Sequence, residues 1–147
     1  MPGSTGTAEA SILAPTPEAA SIRWRWPSSP TPVTSVAASG VGARIDASSV
    51  PVLPGVLDLA MLDVVPGGTK RNHAYLRPNV QWGKLSIPEQ LVLADAQTSG
   101  GLLIATLDPE WLAQELTGRG IGWADVGVTV EGRPGTIAVT GRLARDA

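Results

Sequence analysis

The 147-residue sequence contains no cysteine and a single histidine, His73. The absence of cysteine excludes disulfides, thiolate metal sites and a cysteine nucleophile together. A formal net charge of −2 gives no electrostatic reason to expect nucleic acid or an anionic membrane as a partner. No apolar run approaches the ~20 residues that a membrane span needs, and residues 1–20 lack the pattern of a secretory signal. We therefore expect a soluble, cytoplasmic protein.

Residues 1–36 are rich in proline, serine, threonine and alanine and carry few charges. Such a segment buries too little apolar surface to offset its ordering entropy, so it is predicted to be a disordered tail. The string RWRW at 23–26 is the exception, since Trp and Arg stack on bases and also lie at membrane interfaces. Because RWRW is only four residues long and no further basic cluster lies nearby, a chance exposed patch is the favoured interpretation. Residues 37–147 are predicted to form the folded domain.

The folded part alternates between strand and helix patterns. Strands are predicted over 41–46, 102–107, 124–130 and 136–141, the second of them buried. A first helix is predicted within residues 50–62, because its apolar side chains recur on one helical face: Leu53, Val56, Leu57, Ala60 and Met61.

Two further helices carry explicit start signals. Ser86 and Glu89 predict a capping box for the helix of residues 86–95. Asp108 is predicted to cap the helix of residues 108–120, whose apolar side is supplied by Trp111, Leu112 and Leu116. The glycines of EGRPG (131–135) predict a hairpin between the last two strands. Together these elements indicate an α/β or α+β fold, a mixed sheet with helices packed on one side.

Residues 63–85 are predicted to be a long loop, and long ordered loops are commonly functional. The loop contains VPGGTKRN (65–72), whose glycines let backbone N–H groups turn toward an anion beside Lys70 and Arg71. Its spacing is not that of a Walker A motif. A glycine-rich turn with two exposed cations explains the same residues, and the residues alone leave both interpretations open.

The string DAQTSGGLL (95–103) places small polar residues and two glycines directly before an apolar run. It is either an ordinary helix-to-strand turn or a loop that lets backbone approach a ligand. A Ser-His-Asp triad can be written from Ser99, His73 and Asp95, but Ser99 does not lie in a G-x-S-x-G elbow. Clustered metal-type ligands are absent from the sequence, so no catalytic residue and no metal site is predicted.

Four strings in order carry a family resemblance: SGVGARID, VPVLPGVLDLA, VVPGGTKRNHAY and LADAQTSGGLLIA. Together they resemble the C-terminal domain of selenophosphate synthetase (selenide, water dikinase), in the aminoimidazole ribonucleotide synthetase-like superfamily. The resemblance covers residues 37–140. It implies a truncated form of that fold and the following candidate substrate or phosphate-loop residues: Gly67, Gly68, Thr69, Arg71, Asn72, Asp95, Gln97, Thr98, Ser99, Gly100 and Gly101.

The resemblance also implies an activity, the conversion of ATP, selenide and water to selenophosphate, AMP and phosphate. It implies ATP and Mg²⁺ as cofactors, and a homodimer or pairing with a synthetase N-terminal domain. In the family that N-terminal domain carries the nucleophile and the metal-binding aspartates, and this sequence contains neither it nor the T-D-V-T-G-F-G segment. We therefore expect the chain to be inactive alone and marginally stable unless Trp24, Trp26 or a partner covers the sheet. The alternative is a non-catalytic dimerisation or assembly module for a full-length or split synthetase.

Overall fold

The computed structural model describes residues 40–95 and 103–144, together with the backbone of residues 11–15. Within these ranges, no helix is long and apolar enough to cross a membrane. The elements are β1 (Ser11–Pro15), β2 (Gly42–Asp46), a 3₁₀ turn (Ala47–Ser49), α1 (Val56–Met61), α2 (Gly67–Leu76), β3 (Val80–Gln81), α3 (Ile87–Leu93), β4 (Ile104–Thr106), α4 (Pro109–Gly118), β5 (Trp123–Val130) and β6 (Ile137–Thr140).

The described strands form one mixed sheet in the order β3-β6-β2-β5-β1-β4. β2 pairs antiparallel with β5 on one side and parallel with β6 on the other. β3 extends the sheet parallel to β6, and β1 lies antiparallel between β5 and β4. This arrangement confirms the predicted α/β class with a mixed sheet.

The hairpin predicted between the last two strands is wrong, because β2 lies between β5 and β6. The connection of residues 131–135 instead carries the chain across the end of β2. Gly135 donates its N–H to the carbonyl of Val41 at 3.0 Å, and Ala43 donates to the carbonyl of Thr136 at 2.9 Å. Turn residues signal that a strand ends, but they do not determine which strand pairs with the next one.

β1 lies inside the segment whose composition predicts a disordered tail. Its five residues pair with β5, from Ser11 opposite Val128 to Pro15 opposite Trp123, and the first three of them also pair with β4. Proline lacks the N–H that a residue inside a strand donates to the neighbouring strand. Pro15 is the last residue of β1, where this N–H is not required, so it is compatible with the strand. The other residues of 1–36, including Trp24 and Trp26, lie outside the described part of the chain, and the division at residue 36 stays a prediction.

The core is formed by alternate residues of the sheet and by side chains from the helices and loops. Ala43 of β2 and both Ile137 and Val139 of β6 are buried. Strand alternation places these side chains on one face of the sheet. They pack in one cluster with the following buried residues: Ala47, Leu76, Val80, Leu85, Ala94, Val126 and Leu143.

Several apolar side chains of the predicted helical faces and of the predicted buried strand are exposed. Leu53 and Met61 at the two ends of the first predicted helix are each 47% exposed, because α1 is shorter than the apolar pattern and buries only Ala60 fully. Trp111 of α4 is 58% exposed. The apolar run predicts a buried strand at β4, but β4 is an outer strand, and neighbouring Leu107 is 73% exposed.

Both predicted helix caps are confirmed. The N–H and the hydroxyl of Ser86 both donate to Glu89 Oε2, at 2.7 and 2.6 Å. Asp108 Oδ1 accepts from the N–H of Trp111 at 3.0 Å at the start of α4. Side-chain oxygens thereby satisfy backbone donors that the first turn leaves without a helical acceptor.

Glu89 also reaches the far end of the chain, which its capping role does not predict. It is 2% exposed, and its Oε1 accepts from Arg142 Nε at 2.8 Å and from the N–H of Leu143 at 3.3 Å. Burial acts to raise the pKa of Glu89, but the hydrogen bonds from Arg142 and Ser86 outweigh it and lower the pKa from 4.5 to about 2. This carboxylate therefore ties the start of α3 to the residues that follow β6.

Candidate functional site

The predicted long loop of residues 63–85 contains a ten-residue helix, α2, and the short strand β3. The glycine pattern predicts a loop at Gly67 and Gly68, but these two residues open the helix. Glycine is most unfavourable in a helix interior, whereas the first turn contributes few intrahelical hydrogen bonds. Burial of Thr69 and Leu76 on α2 then stabilises the helix by packing.

The N-terminus of α2 is an uncapped, cationic corner. The residue before the helix is Pro66, which makes no side-chain capping bond, and the first turn holds no acidic residue. Arg71 folds back over the two glycines: a methyl group at Gly67 would lie 3.9 Å from its Nη1, and one at Gly68 3.8 Å from its Nη2. A guanidinium beside the positive end of a helix is an arrangement that a bound anion stabilises.

The second cation of the motif has a partner in the protein. Lys70 Nζ lies 2.8 Å from Asp63 Oδ1, in an ion pair at the surface. Such exposed pairs contribute at most about 1 kcal/mol, so Lys70 can exchange Asp63 for another anion at little cost.

The structure brings the two sequence motifs together. Thr69 is 2% exposed, and its hydroxyl donates to Asp95 Oδ1. Asn72 Nδ2 donates to the carbonyl of Ala94 at 3.3 Å. The first turns of α2 are therefore fixed against the end of α3, at the residue where the second motif begins.

The remaining predicted residues of the second motif lie outside the described ranges: Gln97, Thr98, Ser99, Gly100 and Gly101. Of that motif the structure places only Asp95 beside α2. The spacing of the two motifs in the sequence does not predict that they meet in space. Only the family resemblance links them before the fold is known.

The Ser-His-Asp hypothesis gains nothing from the described residues. His73 Nε2 lies 2.8 Å from Gln90 Oε1, and its ring packs on Trp82 with centroids 5.5 Å apart. Gln90 Nε2 donates to the carbonyl of Leu85 at 2.9 Å, so the amide oxygen faces the imidazole and His73 Nε2 is the donor. The described partner of His73 is thus a structural amide, while Asp95 accepts from Thr69.

A groove of about 560 Å³ opens between α1, the start of α2 and the end of α3. Its polar lining comes from Asp63, Thr69 and Asp95. The rest of its lining is apolar and comes from these residues: Val56, Leu59, Ala60, Val64, Val65, Pro66, Leu91 and Val92. The sequence analysis did not predict these apolar lining residues. One signal for them is the apolar pair Val64–Val65 directly before Pro66, which indicates that the motif does not begin in an ordinary solvated turn.

The described ranges contain no group of three His, Cys, Asp or Glu side chains close enough to hold a metal ion. The carboxylates beside the groove are engaged, Asp63 with Lys70 and Asp95 with Thr69. The side chains that the structure describes therefore do not assemble a magnesium site by themselves.

No family model matches the sequence. Among curated proteins, 101 residues are 39% identical to a selenide, water dikinase from Carboxydothermus hydrogenoformans, covering 67% of this chain and 29% of that protein. The Clostridioides difficile selenide, water dikinase is 38% identical over 80 residues, 54% of this chain and 22% of the relative. The Escherichia coli K12 selenide, water dikinase is 44% identical over 73 residues, 47% of this chain and 19% of the relative.

The chain thus spans less than a third of the length of the relatives it matches. The similarity agrees with the resemblance found in the motifs, and the mixed α/β fold is consistent with it. The matched part of the chain is therefore similar to part of the selenide, water dikinases, which is consistent with a partial selenophosphate synthetase region.

Proposed function

We propose that this chain provides the C-terminal part of a selenophosphate synthetase and supplies one wall of its phosphoryl-transfer site. The reaction is the conversion of ATP, selenide and water to selenophosphate, AMP and phosphate in the cytoplasm. The observation that carries the proposal is the junction of the two motifs, in which Thr69 of α2 bonds to Asp95 at the end of α3. The junction holds the start of α2 beside Asp95, the first residue of the glycine-rich 95–101 stretch, and the N–H groups of a helix start favour a bound anion.

The start of α2 fits a phosphate group of ATP. Gly67 and Gly68 leave space above the first N–H groups, and Arg71 adds a charge that hydrogen-bonds bidentately to phosphate oxygens. Thr69 and Asn72 act as positioning residues, because their bonds to Asp95 and to the Ala94 carbonyl hold α2 in place. ATP, when bound, supplies the phosphoryl group, and the described carboxylates do not by themselves form a site for Mg²⁺.

Replacement of Arg71 by alanine should weaken binding of ATP to the chain by about tenfold, since one charge-assisted contact contributes ~1.5 kcal/mol. Titration of the amide resonances of Gly67 and Gly68 with ATP measures the effect. Arg77→Ala is the matched control, because Arg77 follows the last residue of the same helix and lies at its opposite end. Equal affinities for the two variants would contradict the phosphate assignment.

The purified chain alone should not form AMP from ATP and selenide above the rate of a blank. Phosphoryl transfer requires metal ions on the phosphates, and the described residues assemble no group that could hold one. Nucleotide analysis after incubation with ATP, Mg²⁺ and selenide measures the outcome. AMP formation by the chain, abolished by Arg71→Ala, would show that it is a complete enzyme.

A second candidate function is a non-catalytic dimerisation or assembly module for a full-length or split synthetase. The apolar groove beside α1 favours it, since an open apolar surface serves assembly whether or not ATP binds. The two functions differ in the Arg71→Ala experiment: an assembly module associates with a synthetase without binding ATP at this helix start, so the Arg71→Ala and Arg77→Ala variants then respond to ATP alike.

A further inference from the structure

We infer that Arg142 is a positioning residue for the candidate phosphate site, and that it acts through the buried carboxylate of Glu89 and through α3. The inference rests on the proposed function and adds a residue that lies far from both motifs in the sequence. Arg142 follows β6, whereas the described motif residues belong to α2 and to the end of α3.

The carboxylate of Glu89 makes more hydrogen bonds than a helix cap requires. Its Oε2 accepts from the N–H and the hydroxyl of Ser86, and these two bonds alone complete the capping box. Its Oε1 accepts from Arg142 Nε at 2.8 Å and from the N–H of Leu143 at 3.3 Å. The bonds to Oε1 therefore serve a second purpose, which is to fix the start of α3 to the residues after β6.

Helix α3 connects this carboxylate to the candidate site. Glu89 lies in the first turn of α3, and Ala94 and Asp95 follow the last helical residue, about 9 Å further along the axis. The carbonyl of Ala94 accepts from Asn72, and Asp95 accepts from Thr69. A change in the position of α3 at Glu89 therefore reaches the first turns of α2.

The two helices are also joined between these points, so they behave as a rigid pair. Gln90 of α3 accepts from His73 of α2 at 2.8 Å, and Gln90 in turn donates to the carbonyl of Leu85. Leu76 of α2 and Leu91 of α3 are buried. Packed interiors transmit a displacement instead of absorbing it.

Removal of the Arg142 guanidinium leaves Glu89 without its charged partner. Burial acts to raise the pKa of Glu89, and the hydrogen bonds from Arg142 and Ser86 outweigh it, so the group is charged at neutral pH. A buried carboxylate without its cation is costly, so Glu89 turns toward water and moves the first turn of α3. The side chain of Arg142 is itself 58% exposed, so its truncation removes little buried packing and acts mainly on Glu89.

The amide resonances of α2 test this positioning without a ligand. Arg142→Ala should shift the resonances of Thr69 and Asn72, and Arg142→Lys, which keeps the charge, should restore most of their parent positions. Arg119→Ala is the matched control, because Arg119 also pairs with a glutamate, at 3.3 Å, but on the surface of α4. Unchanged resonances in Arg142→Ala, shifts that Arg142→Lys does not reverse, or equal shifts in Arg119→Ala overturn the inference.

ATP provides the second readout. Arg142→Ala should weaken the binding of ATP, followed at the amides of Gly67 and Gly68, by about fivefold, a typical coupling between two sites. In the parent chain ATP should in turn shift the amide resonance of Leu143 with the same midpoint, because such coupling is reciprocal. A contact that only stabilises the fold lowers the urea midpoint of Arg142→Ala but leaves the ATP affinity and the Leu143 response unchanged. That result overturns the inference.

A second variant covers the case in which Arg142→Ala does not fold. Arg142→Gln retains a neutral hydrogen-bond donor and is compared with Arg142→Lys in the same way. The readouts also separate this inference from the proposed function. Shifts at Thr69 and Asn72 in a chain that does not bind ATP refute the proposed function and leave Arg142 as a positioning residue for α2. Binding of ATP that depends on Arg71 but not on Arg142 has the opposite meaning.

Discussion

Gly127→Ala should destabilise the chain by about 3 kcal/mol or more, enough to unfold most molecules of a marginally stable domain. Gly127 lies in β5 opposite Ile45 of β2. A Cβ at this position would overlap the carbonyl oxygen of Arg44 and lie 3.0 Å from the Cα of Ile45. Both obstacles are backbone atoms, so a rotamer change cannot relieve them and the two strands must separate.

The position of β2 makes this separation costly for the whole sheet. β2 is the only described strand that connects β5, β1 and β4 with β6 and β3. Displacing it from β5 therefore opens the sheet between its two halves and disturbs the buried packing of Ala43.

Urea unfolding followed by circular dichroism measures the effect, with Gly118→Ala as the matched control. Gly118 is the last residue of α4, and a Cβ there meets nothing within 4 Å. Alanine at a helical position is favoured over glycine by up to ~1 kcal/mol, so the control should unfold at equal or higher urea concentration. Similar midpoints for the two variants would contradict the close approach of β5 to β2.

Glu89→Gln should lower the free energy of unfolding by about 3 kcal/mol at pH 7 and by almost nothing near pH 2. The pKa of Glu89 is about 2 in the folded chain against an ordinary 4.5, and each unit is worth about 1.4 kcal/mol. A lowered folded-state pKa means that the stabilisation is fully present above pH 4.5. The stabilisation is lost as the pH falls from 4.5 toward 2.

Subtracting the unfolding free energy of the variant from that of the parent chain removes the contribution of other carboxyl groups that titrate in the same pH range. The difference therefore reports Glu89 alone. Glu115→Gln is the control, because Glu115 is also paired with an arginine, Arg119 at 3.3 Å, but on the surface. Exposed i, i+4 pairs contribute about 0.3–0.5 kcal/mol, so this variant should differ little from the parent chain at any pH. A difference for Glu89→Gln that stays constant from neutral to acidic pH would show that charge is not the cause.

Helix caps and strand alternation could be predicted from the sequence, because residues that are close together in the chain determine them. The Ser86–Glu89 capping box, the Asp108 cap and the alternation in β2 and β6 each follow from a few adjacent residues whose preferences are physical and local. The family resemblance also identifies the motif residues Thr69 and Asp95 as site candidates. Their phosphate-binding role stays a prediction.

The failures share one cause, which is that a distant part of the chain decides the local structure. Gly67 and Gly68 look like loop residues, but the helix they open is stabilised by the burial of Leu76 and by the contact of Thr69 with Asp95. Strand pairing is non-local too. The hairpin prediction fails because β2 lies between β5 and β6, and β1 is missed because its partners follow far along the chain.

The pairing of β1 has a consequence for the order in which the chain folds. Ser11 lies 95 residues before its partner Thr106 and 117 residues before its partner Val128, so β1 is synthesised well before the strands it pairs with. Closing such long loops costs entropy before contacts repay it, which slows folding. Because β4 pairs only with β1 among the described strands, β4 joins the sheet only together with β1 or after it, and the edge of β5 that β1 covers stays open to aggregation until then.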